Sequence, residues 1–360
     1  MQAMAPLLDV GRRKATIRAM YRANDHIPRQ PDLTLAEVLG LTRAAPREAW
    51  LAVRGDPRVP GSRAGLTTVR QFMPRLALQT WLGRTPLPRR AIIANLFNHT
   101  PTPVAAGWSV EVTQVRDFRG RGLTYDSHNG TDFAVPVGSP VVAAAAGLVV
   151  ATRSEYNRGG LKLFIDHGGG LLTSSNHLAR VLVKPGQRVQ RGQLVALSGY
   201  SGLDAILSFP WVAPHVHFNV SLGGVLVDPF APLPDERGAP SLWRAPSPMP
   251  WRPEADPLAE DAAFTPTAFD PARVAALLAD LQHPERRARI GTIAHPRARA
   301  WQLVIESFTY PARFSSVTAG AALFDAPMRR AILDLPLSAA HFDKAVFADD
   351  IALRYAPVRA

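Results

Sequence analysis

The strongest constraint on the fold is a dense succession of short apolar segments and glycine-containing turns between Val135 and Val220. Segments of this length, punctuated by Gly-Gly or Pro-Gly, are typical of strands joined by tight turns. The predicted strands are Val141–Ala146, Leu148–Thr152, Leu161–Asp166, Leu171–Ser175, Val181–Val183, Gln193–Ser198 and His215–Val220. The pattern predicts an antiparallel all-β domain. Its first strand is predicted at Trp108–Thr113, where every second residue is apolar.

The regions on either side differ from this pattern, and the chain is therefore predicted to be a multi-domain α+β protein. Its 360 residues exceed a single typical domain. We predict a mainly helical N-terminal region, a β-rich domain, a Pro-rich linker and a small α-rich C-terminal region. Their predicted bounds are 1–107, 108–232, 233–266 and 267–360.

Helix signals occur in both flanking regions. A capping box from Thr34 to Glu37 begins one helix, and Asp270 followed by Pro271 begins another. Further helices are predicted at Arg47–Val53, Thr67–Leu82 with a break at Pro74, Arg89–Asn98, Met328–Leu333 and Ala339–Phe347, and a strand is predicted at Trp301–Phe308. The Pro-rich linker, which carries Trp243 and Trp251, is predicted to wrap a surface in an extended form.

Composition excludes some chemistry and favours an anionic partner. The chain has no cysteine, which excludes disulfides, thiolate metal sites and a thiol nucleophile. A formal net charge of +12 favours nucleic acid, anionic lipid or an acidic cell-wall polymer. The arginines are scattered and no nucleic-acid motif is present, so we expect no nucleic-acid partner.

We also expect neither a membrane span nor a cleaved secretory signal. Prolines and glycines break the long apolar run Val135–Ala151 into pieces too short to cross a bilayer. Basic residues interrupt Met1–Met20, which therefore lacks the apolar core of a signal peptide.

Three motifs in the β-rich stretch carry the candidate chemistry: His128-Asn-Gly-Thr-Asp132, Asn176-His177-Leu178 and His215-Val-His217. Residues two apart on a strand share a face, so His215 and His217 project the same way. Gly130 permits a tight turn that aims His128 and Asp132 at one point. Imidazoles together with a carboxylate suit Zn²⁺ in a site that keeps one position open for water.

Each motif alone is weak, because a single His-x-His in a strand is usually incidental. Their combination in one basic β domain predicts a single zinc site built from all five side chains. The remaining histidines show no ligand spacing and are predicted to be structural or on the surface: His26, His99, His167, His283, His295 and His341.

In order along the chain, these motifs resemble the LytM/lysostaphin-type zinc endopeptidases, peptidase family M23. The resemblance covers residues 125–229 and includes further segments of the family pattern: Pro136-Val-Gly138-Ser-Pro140-Val141, Ala144-Ala-Ala-Gly147, Ile165-Asp-His-Gly168, Val183-Lys-Pro-Gly186, Pro214-His-Val-His-Phe218 and Val227-Asp-Pro229. It implies a duplicated-hybrid-motif fold and hydrolysis of peptide cross-links in peptidoglycan by a zinc-activated water. The partners expected from it are peptidoglycan peptide stems, and the expected location is the cell envelope, the periplasm or outside the cell.

The resemblance also implies the role of each side chain. His128, Asp132 and His217 would bind one zinc ion per chain. His177 and His215 would be catalytic, one as general base toward the water and the other steadying the oxyanion, with the assignment between them open. Asp126 and Asp204 are expected to be loop residues outside the site.

Several positions depart from the family pattern without removing a zinc ligand. Ser175 stands in place of a common tyrosine, Ala213 in place of a glycine and Asn219 in place of a glutamate, and the loop Leu203–Val212 is longer and more apolar than usual. These departures are expected to affect substrate specificity more than metal binding.

Two alternatives to an active peptidase are considered. One is a non-catalytic protein of the same fold that binds cell-wall material or activates a separate hydrolase. The other is a biotinyl- or lipoyl-type carrier, which the hairpin Val183–Gln193 resembles but which lacks a suitably placed lysine. Zinc content and activity on cross-linked wall separate these hypotheses.

Overall fold

The computed structural model describes residues 32–43, 66–100, 115–156, 158–206, 208–232, 242–253, 258–325 and 330–351. Within them, eleven strands belong to one sheet. The strands are β1 Arg90–Asn95, β2 Thr131–Ala134, β3 Pro140–Val142, β4 Gly147–Glu155, β5 Gly160–Asp166, β6 Leu171–Val181, β7 Arg188–Val189, β8 Leu194–Ser198, β9 His215–Leu222, β10 Val225–Val227 and β11 Lys344–Phe347.

The sheet is antiparallel except where β1 meets β11. Its main path runs β11–β1–β2–β9–β6–β5–β4–β7, while β10 pairs with β9 and β8 links β6 to β3. An antiparallel β domain accompanied by helices in its flanks confirms the predicted α+β class. The predicted domain boundaries stay a prediction, and the sheet itself takes β1 and β11 from the two flanking regions.

Short helices precede and follow the sheet. The α-helices are α1 Leu35–Val38, α2 Pro74–Trp81, α3 Leu203–Ile206, α4 Ala259–Ala262, α5 Pro271–Asp280, α6 Pro284–Gly291 and α7 Pro296–Thr309. The 3₁₀ helices are Leu41–Arg43, Leu66–Gln71, Pro311–Arg313, Ala319–Leu323 and Ala348–Ile351. No helix in the described ranges is long and apolar enough to cross a bilayer.

Two predicted helix starts are confirmed in detail. Thr34 and Glu37 form the reciprocal capping box of α1. The Asp270 side chain accepts hydrogen bonds from the backbone of Ala272 and Arg273 at the start of α5. The region around Pro74 is also confirmed, because a 3₁₀ helix ends at Gln71 and α2 begins at Pro74.

Three predicted elements are wrong. Arg89–Asn98 is a strand rather than a helix, because its apolar run is buried between β2 and β11. Trp301–Phe308 lies in the helix α7, whose apolar residues cover the outer face of β4–β6. Because most of this segment is buried, its sequence lacks the polar face by which an amphipathic helix is recognised. Ala339–Phe347 holds β11, which continues the sheet beside β1.

Other predicted segments are only partly described. Residues 330–333 are not helical, and Leu333 forms a bridge with Trp243. The Pro-rich segment is not confined to a surface, because Trp243 is buried and stacks on Phe218. Arg47–Val53 and Trp108–Thr113 lie outside the described residues, as does His26.

The sheet is covered on both faces. One hydrophobic core lies on the face that includes Leu163, Ile165 and Val216. The opposite face of β4–β6 contributes Phe164 and Leu172 to a second core that is completed by α5–α7. Since side chains alternate along a strand, successive residues of β5 serve different cores.

A buried charge network fastens α7 to the sheet. The Glu306 carboxylate is fully buried and accepts hydrogen bonds from Arg153 Nη1 on β4, at 3.2 Å, and from Arg313 Nη1. Next to it, Glu155 accepts a hydrogen bond from Lys162 Nζ at 2.7 Å. Because a buried charge without a partner is costly, each of these carboxylates stabilises the buried cations that contact it.

We expect Glu306→Gln to lower the free energy of unfolding by roughly 3–5 kcal/mol, because the buried Arg313 loses its counter-charge and Arg153 keeps only the more distant Glu155. Urea unfolding followed by tryptophan fluorescence measures the change. Asp325→Asn is the control, since its pair with Arg273 is exposed and should contribute less than about 1 kcal/mol. Equal effects of the two substitutions would contradict the role of the network.

The same network predicts that the stability of the protein depends on pH. Burial opposes ionisation of Glu155, but Lys162 and Arg153 outweigh it and lower the pKa from 4.5 to about 2. The resulting stabilisation, roughly 3 kcal/mol, is present above pH 4.5 and is lost as the pH falls toward 2. The stability difference between the wild type and Glu155→Gln should therefore shrink between pH 6 and pH 2.5. A difference that stays constant over this range would show that the carboxylate is not stabilised in this way.

Candidate metal centre

The β2–β9 ladder brings the central pair of the site together. Asp132 on β2 lies directly opposite His217 on β9 in the antiparallel register. His128 lies in the loop before β2, four residues ahead of Asp132. The sheet therefore joins two motifs that are far apart in the chain.

Three donor atoms of these residues converge. Asp132 Oδ1 lies 2.8 Å from His217 Nδ1 and 3.1 Å from His128 Nε2, and the two nitrogens are 3.2 Å apart. All three side chains are buried. In the described part of the chain, this is the group of histidine and acidic side chains that could hold a metal ion.

The other atoms of these side chains are held by hydrogen bonds. His128 Nδ1 donates to the carbonyl of Leu96 at 2.6 Å, which leaves Nε2 with its lone pair toward the centre. His217 Nε2 lies 3.2 Å from Asn129 Oδ1. Asp132 Oδ2 accepts from Asn95 Nδ2 at 2.9 Å. Such outer contacts fix the tautomer and orientation of a metal ligand.

Gly130 permits a close approach in the loop between His128 and Asp132. A Cβ at this position would lie 2.7 Å from both His217 Nε2 and the carbonyl oxygen of Phe218. The glycine was predicted for a tight turn, but its physical role is to let the loop lie against β9.

The electrostatics favour an ionised Asp132 and a neutral His217. Burial raises the pKa of Asp132, but His128, His215 and His217 outweigh it and lower that pKa well below its ordinary value. Burial lowers the pKa of His217 to about 4, against the opposing effect of Asp132. A carboxylate and neutral imidazoles are the protonation states that metal binding requires.

His177 and His215 form a second pair beside the three donors. Their ring centroids are 4.8 Å apart, and His215 Nε2 lies 3.8 Å from Asp132 Oδ1. His177 Nδ1 donates to the Ser201 carbonyl at 2.7 Å, and His215 Nδ1 donates to the Ala213 carbonyl at 2.9 Å. In each neutral ring the lone pair is therefore on Nε2. Burial lowers the pKa of His215, which keeps this ring neutral at pH 7.

Two clefts border these histidines. One is lined by Gln71, Asn95, Tyr125, Asp132, His177, Ala205, Ser208, Val212 and His215. The other is lined by His128, Asn129, His177 and His217 together with residues of β5, β6 and α7. Tyr125 and His177 border both clefts, and the Tyr125 ring packs against His128 with centroids 4.5 Å apart. The candidate centre is thus bordered by clefts on two sides.

Two other histidines considered in the sequence lie outside the candidate centre. His167 is buried away from the centre, with Nδ1 on the Ala146 carbonyl and Nε2 on Thr173 Oγ1. His99 Nε2 pairs with the Asp228 carboxylate at 2.9 Å. Asn95 and Gln71 were missed by the sequence reasoning, because they lie in the flanking region that showed no catalytic motif.

Comparison with known proteins finds a family match for the segment that carries these residues. The model of peptidase family M23 matches residues 126–229. Peptidoglycan DD-endopeptidase ShyA of Vibrio cholerae is 41% identical over 97 residues, which are 27% of this chain and 21% of ShyA. An uncharacterized metalloprotease of Haemophilus influenzae is 31% identical over 147 residues, 41% of this chain and 26% of that protein.

Among solved structures, a zinc containing peptidase from Vibrio cholerae aligns with 31% identity over 41% of each chain, with a TM-score of 0.29. This chain spans only about a fifth to a quarter of the length of the curated relatives named above. The matched segment nevertheless contains all three converging donors and both neighbouring histidines. Residues 126–229 belong to peptidase family M23.

Proposed function

We propose that the protein is a zinc-dependent endopeptidase that hydrolyses peptide cross-links of peptidoglycan. The observation that carries the proposal is the convergence of His128, Asp132 and His217 next to two further histidines. The proposal assigns the three converging side chains as ligands of one zinc ion, and His177 and His215 as catalytic residues.

The donor set fits zinc in number, type and spacing. Zinc sites use imidazole nitrogen and carboxylate oxygen at about 2.0–2.2 Å, and a tetrahedron of that size has edges of about 3.3 Å. The observed separations of 2.8–3.2 Å between donor atoms are close to this edge. Three protein donors leave a fourth position for water or substrate, as catalytic zinc sites require.

When bound, zinc at such a set lowers the pKa of a water ligand to about 7 and polarises a peptide carbonyl. The protein supplies the proton transfers. The Nε2 lone pair of one of the two neighbouring histidines takes the proton of the attacking water and later delivers it to the leaving amine. The other ring, after taking up a proton from bulk solvent on Nε2, would donate a hydrogen bond to the carbonyl oxygen and stabilise the negative charge that develops there.

Peptidoglycan is proposed as the substrate on the basis of relatives and charge. ShyA and the related ShyB are named peptidoglycan DD-endopeptidases. The net charge of +12 suits an anionic wall polymer. The proposed location is accordingly the cell envelope.

A non-catalytic role on the same fold is the competing proposal. Among the relatives is a lipoprotein NlpD/LppB homolog of Pseudomonas aeruginosa, 32% identical over 140 residues. Here all three ligand positions and both catalytic positions are occupied by residues with the chemistry that hydrolysis needs, which supports the enzyme.

We expect His217→Ala to lose both zinc and activity, because it removes a ligand. His215→Ala should keep its zinc and lose activity by about 10²–10⁴-fold, the usual contribution of a positioned acid or base. Zinc per chain, measured by plasma mass spectrometry, and peptide release from purified sacculi test both variants.

His341→Ala is a matched control, because His341 lies outside the centre near β11. It should keep the zinc content and rate of the wild type. Normal zinc binding by His217→Ala would refute the ligand assignment. A zinc-loaded wild type that releases no peptide ends would favour the non-catalytic role.

A further inference from the structure

The cleft on the β5–β6 side of the candidate metal centre has the end of helix α7 as one of its walls. Its lining combines residues of the centre with residues of the sheet and of the helix. Beyond the centre itself, the lining includes Arg158, Gly159, Lys162, Asn176, Asn219, Phe308 and Thr309. A peptide bound in this cleft would therefore touch the metal centre and the C-terminal region together.

The turn between β4 and β5 places this cleft next to a proposed catalytic residue. The backbone N–H of His177 donates to the carbonyl of Gly159 at 2.9 Å. Gly159 has φ +71°, and a Cβ there would lie 2.7 Å from Lys162 Cε and 3.8 Å from Asn176 Cβ. The glycine thus allows the turn, the lysine and the asparagine to pack tightly beside His177.

Asn176 presents an unpaired acceptor in this cleft. Its side chain is buried, and its Nδ2 donates to Asn219 Oδ1 at 2.8 Å, which fixes the orientation of the amide. Its Oδ1 has no hydrogen-bond partner. A buried carbonyl oxygen without a donor is costly, and a ligand N–H would satisfy it.

The charges around the cleft are unbalanced. Arg158 and Lys162 line it, and Glu155 is the carboxylate that pairs with Lys162. Arg158 is held at the cleft because its Nη1 donates to the Thr309 carbonyl at 3.0 Å.

We propose that this cleft is a subsite for a free carboxylate of the substrate peptide, with Arg158 as the cationic group and Asn176 Oδ1 as acceptor of an adjacent peptide N–H. The ligand class is a short peptide that carries a carboxylate close to an amide N–H. The inference rests on the proposed function, because that function supplies the peptide at the neighbouring metal centre.

Peptidoglycan stems offer two sources of this chemistry: the carboxylate at the C-terminus of the stem and the carboxylate on a diamino acid side chain. The test uses binding rather than cleavage, so that it stands apart from the test of activity. The probe is an uncross-linked tetrapeptide stem ending in a diamino acid and D-Ala, prepared as the free acid, as the C-terminal carboxamide and as the carboxamide of the diamino acid.

Calorimetric titration of the full-length zinc-loaded protein should show that one of the two amidations weakens binding by about tenfold, the effect of losing a charge-assisted hydrogen bond. The position that responds identifies the carboxylate. Arg158→Gln should bind the acid and that amide equally, and Arg158→Lys should retain part of the difference, since it keeps the charge but not the guanidinium geometry.

Arg75→Gln is the matched control, because it makes the same change of charge at an exposed position of α2. It should keep the preference of the wild type. Arg158 also caps the end of α7, and a purely structural role would weaken all three peptides equally in Arg158→Gln. Equal weakening of all three peptides would overturn the proposal. So would a wild type that binds the acid and both amides equally, or an Arg158→Gln variant that keeps the preference of the wild type. These outcomes count whether or not the protein cleaves sacculi.

Discussion

The pairing of Asp132 with His217 across two antiparallel strands is the contact on which the candidate centre depends. The register of β2 against β9 sets these residues opposite each other, and the β9–β6 register sets Asn176 beside the same histidine. Because side chains alternate between faces, a slip of one residue would turn His217 away from Asp132. The core residues that hold this register, such as Phe133 and Val216, therefore also hold the geometry of the centre.

The flanking regions contribute to the site rather than merely adjoining it. β1 supplies Asn95, which holds the second oxygen of Asp132. The helix α7 lies on the outer face of the sheet through a second core and through the buried Glu306, and its end forms a wall of one cleft. The helix α7 thus adds a wall beside the candidate centre that the sheet carries. That surface is where the proposed carboxylate selectivity is located.

Local sequence patterns predicted β4, β5, β8 and β9 closely, since glycine turns and short apolar runs leave few alternatives, but they missed β2, β7 and β10. These patterns failed to predict the conformation of segments that are buried on more than one side. Arg89–Asn98 and Trp301–Phe308 are both apolar runs, yet one became β1 and the other part of α7. In each case the neighbouring elements, not local propensity, selected the conformation, because they bury the run from more than one side.

By itself, the sequence determined the strand-rich middle of the chain and the five side chains proposed for the zinc centre, because His-x-His, His-x-x-x-Asp and the surrounding glycines restrict backbone and chemistry over a few residues. Only the tertiary structure decided that donor atoms on different strands lie 2.8–3.2 Å apart. It alone also decided that Asn95, Asn176 and Arg158 line clefts beside the candidate centre. Those contacts depend on strand register and on the packing of α7, which join residues far apart in the chain and leave no short-range signature.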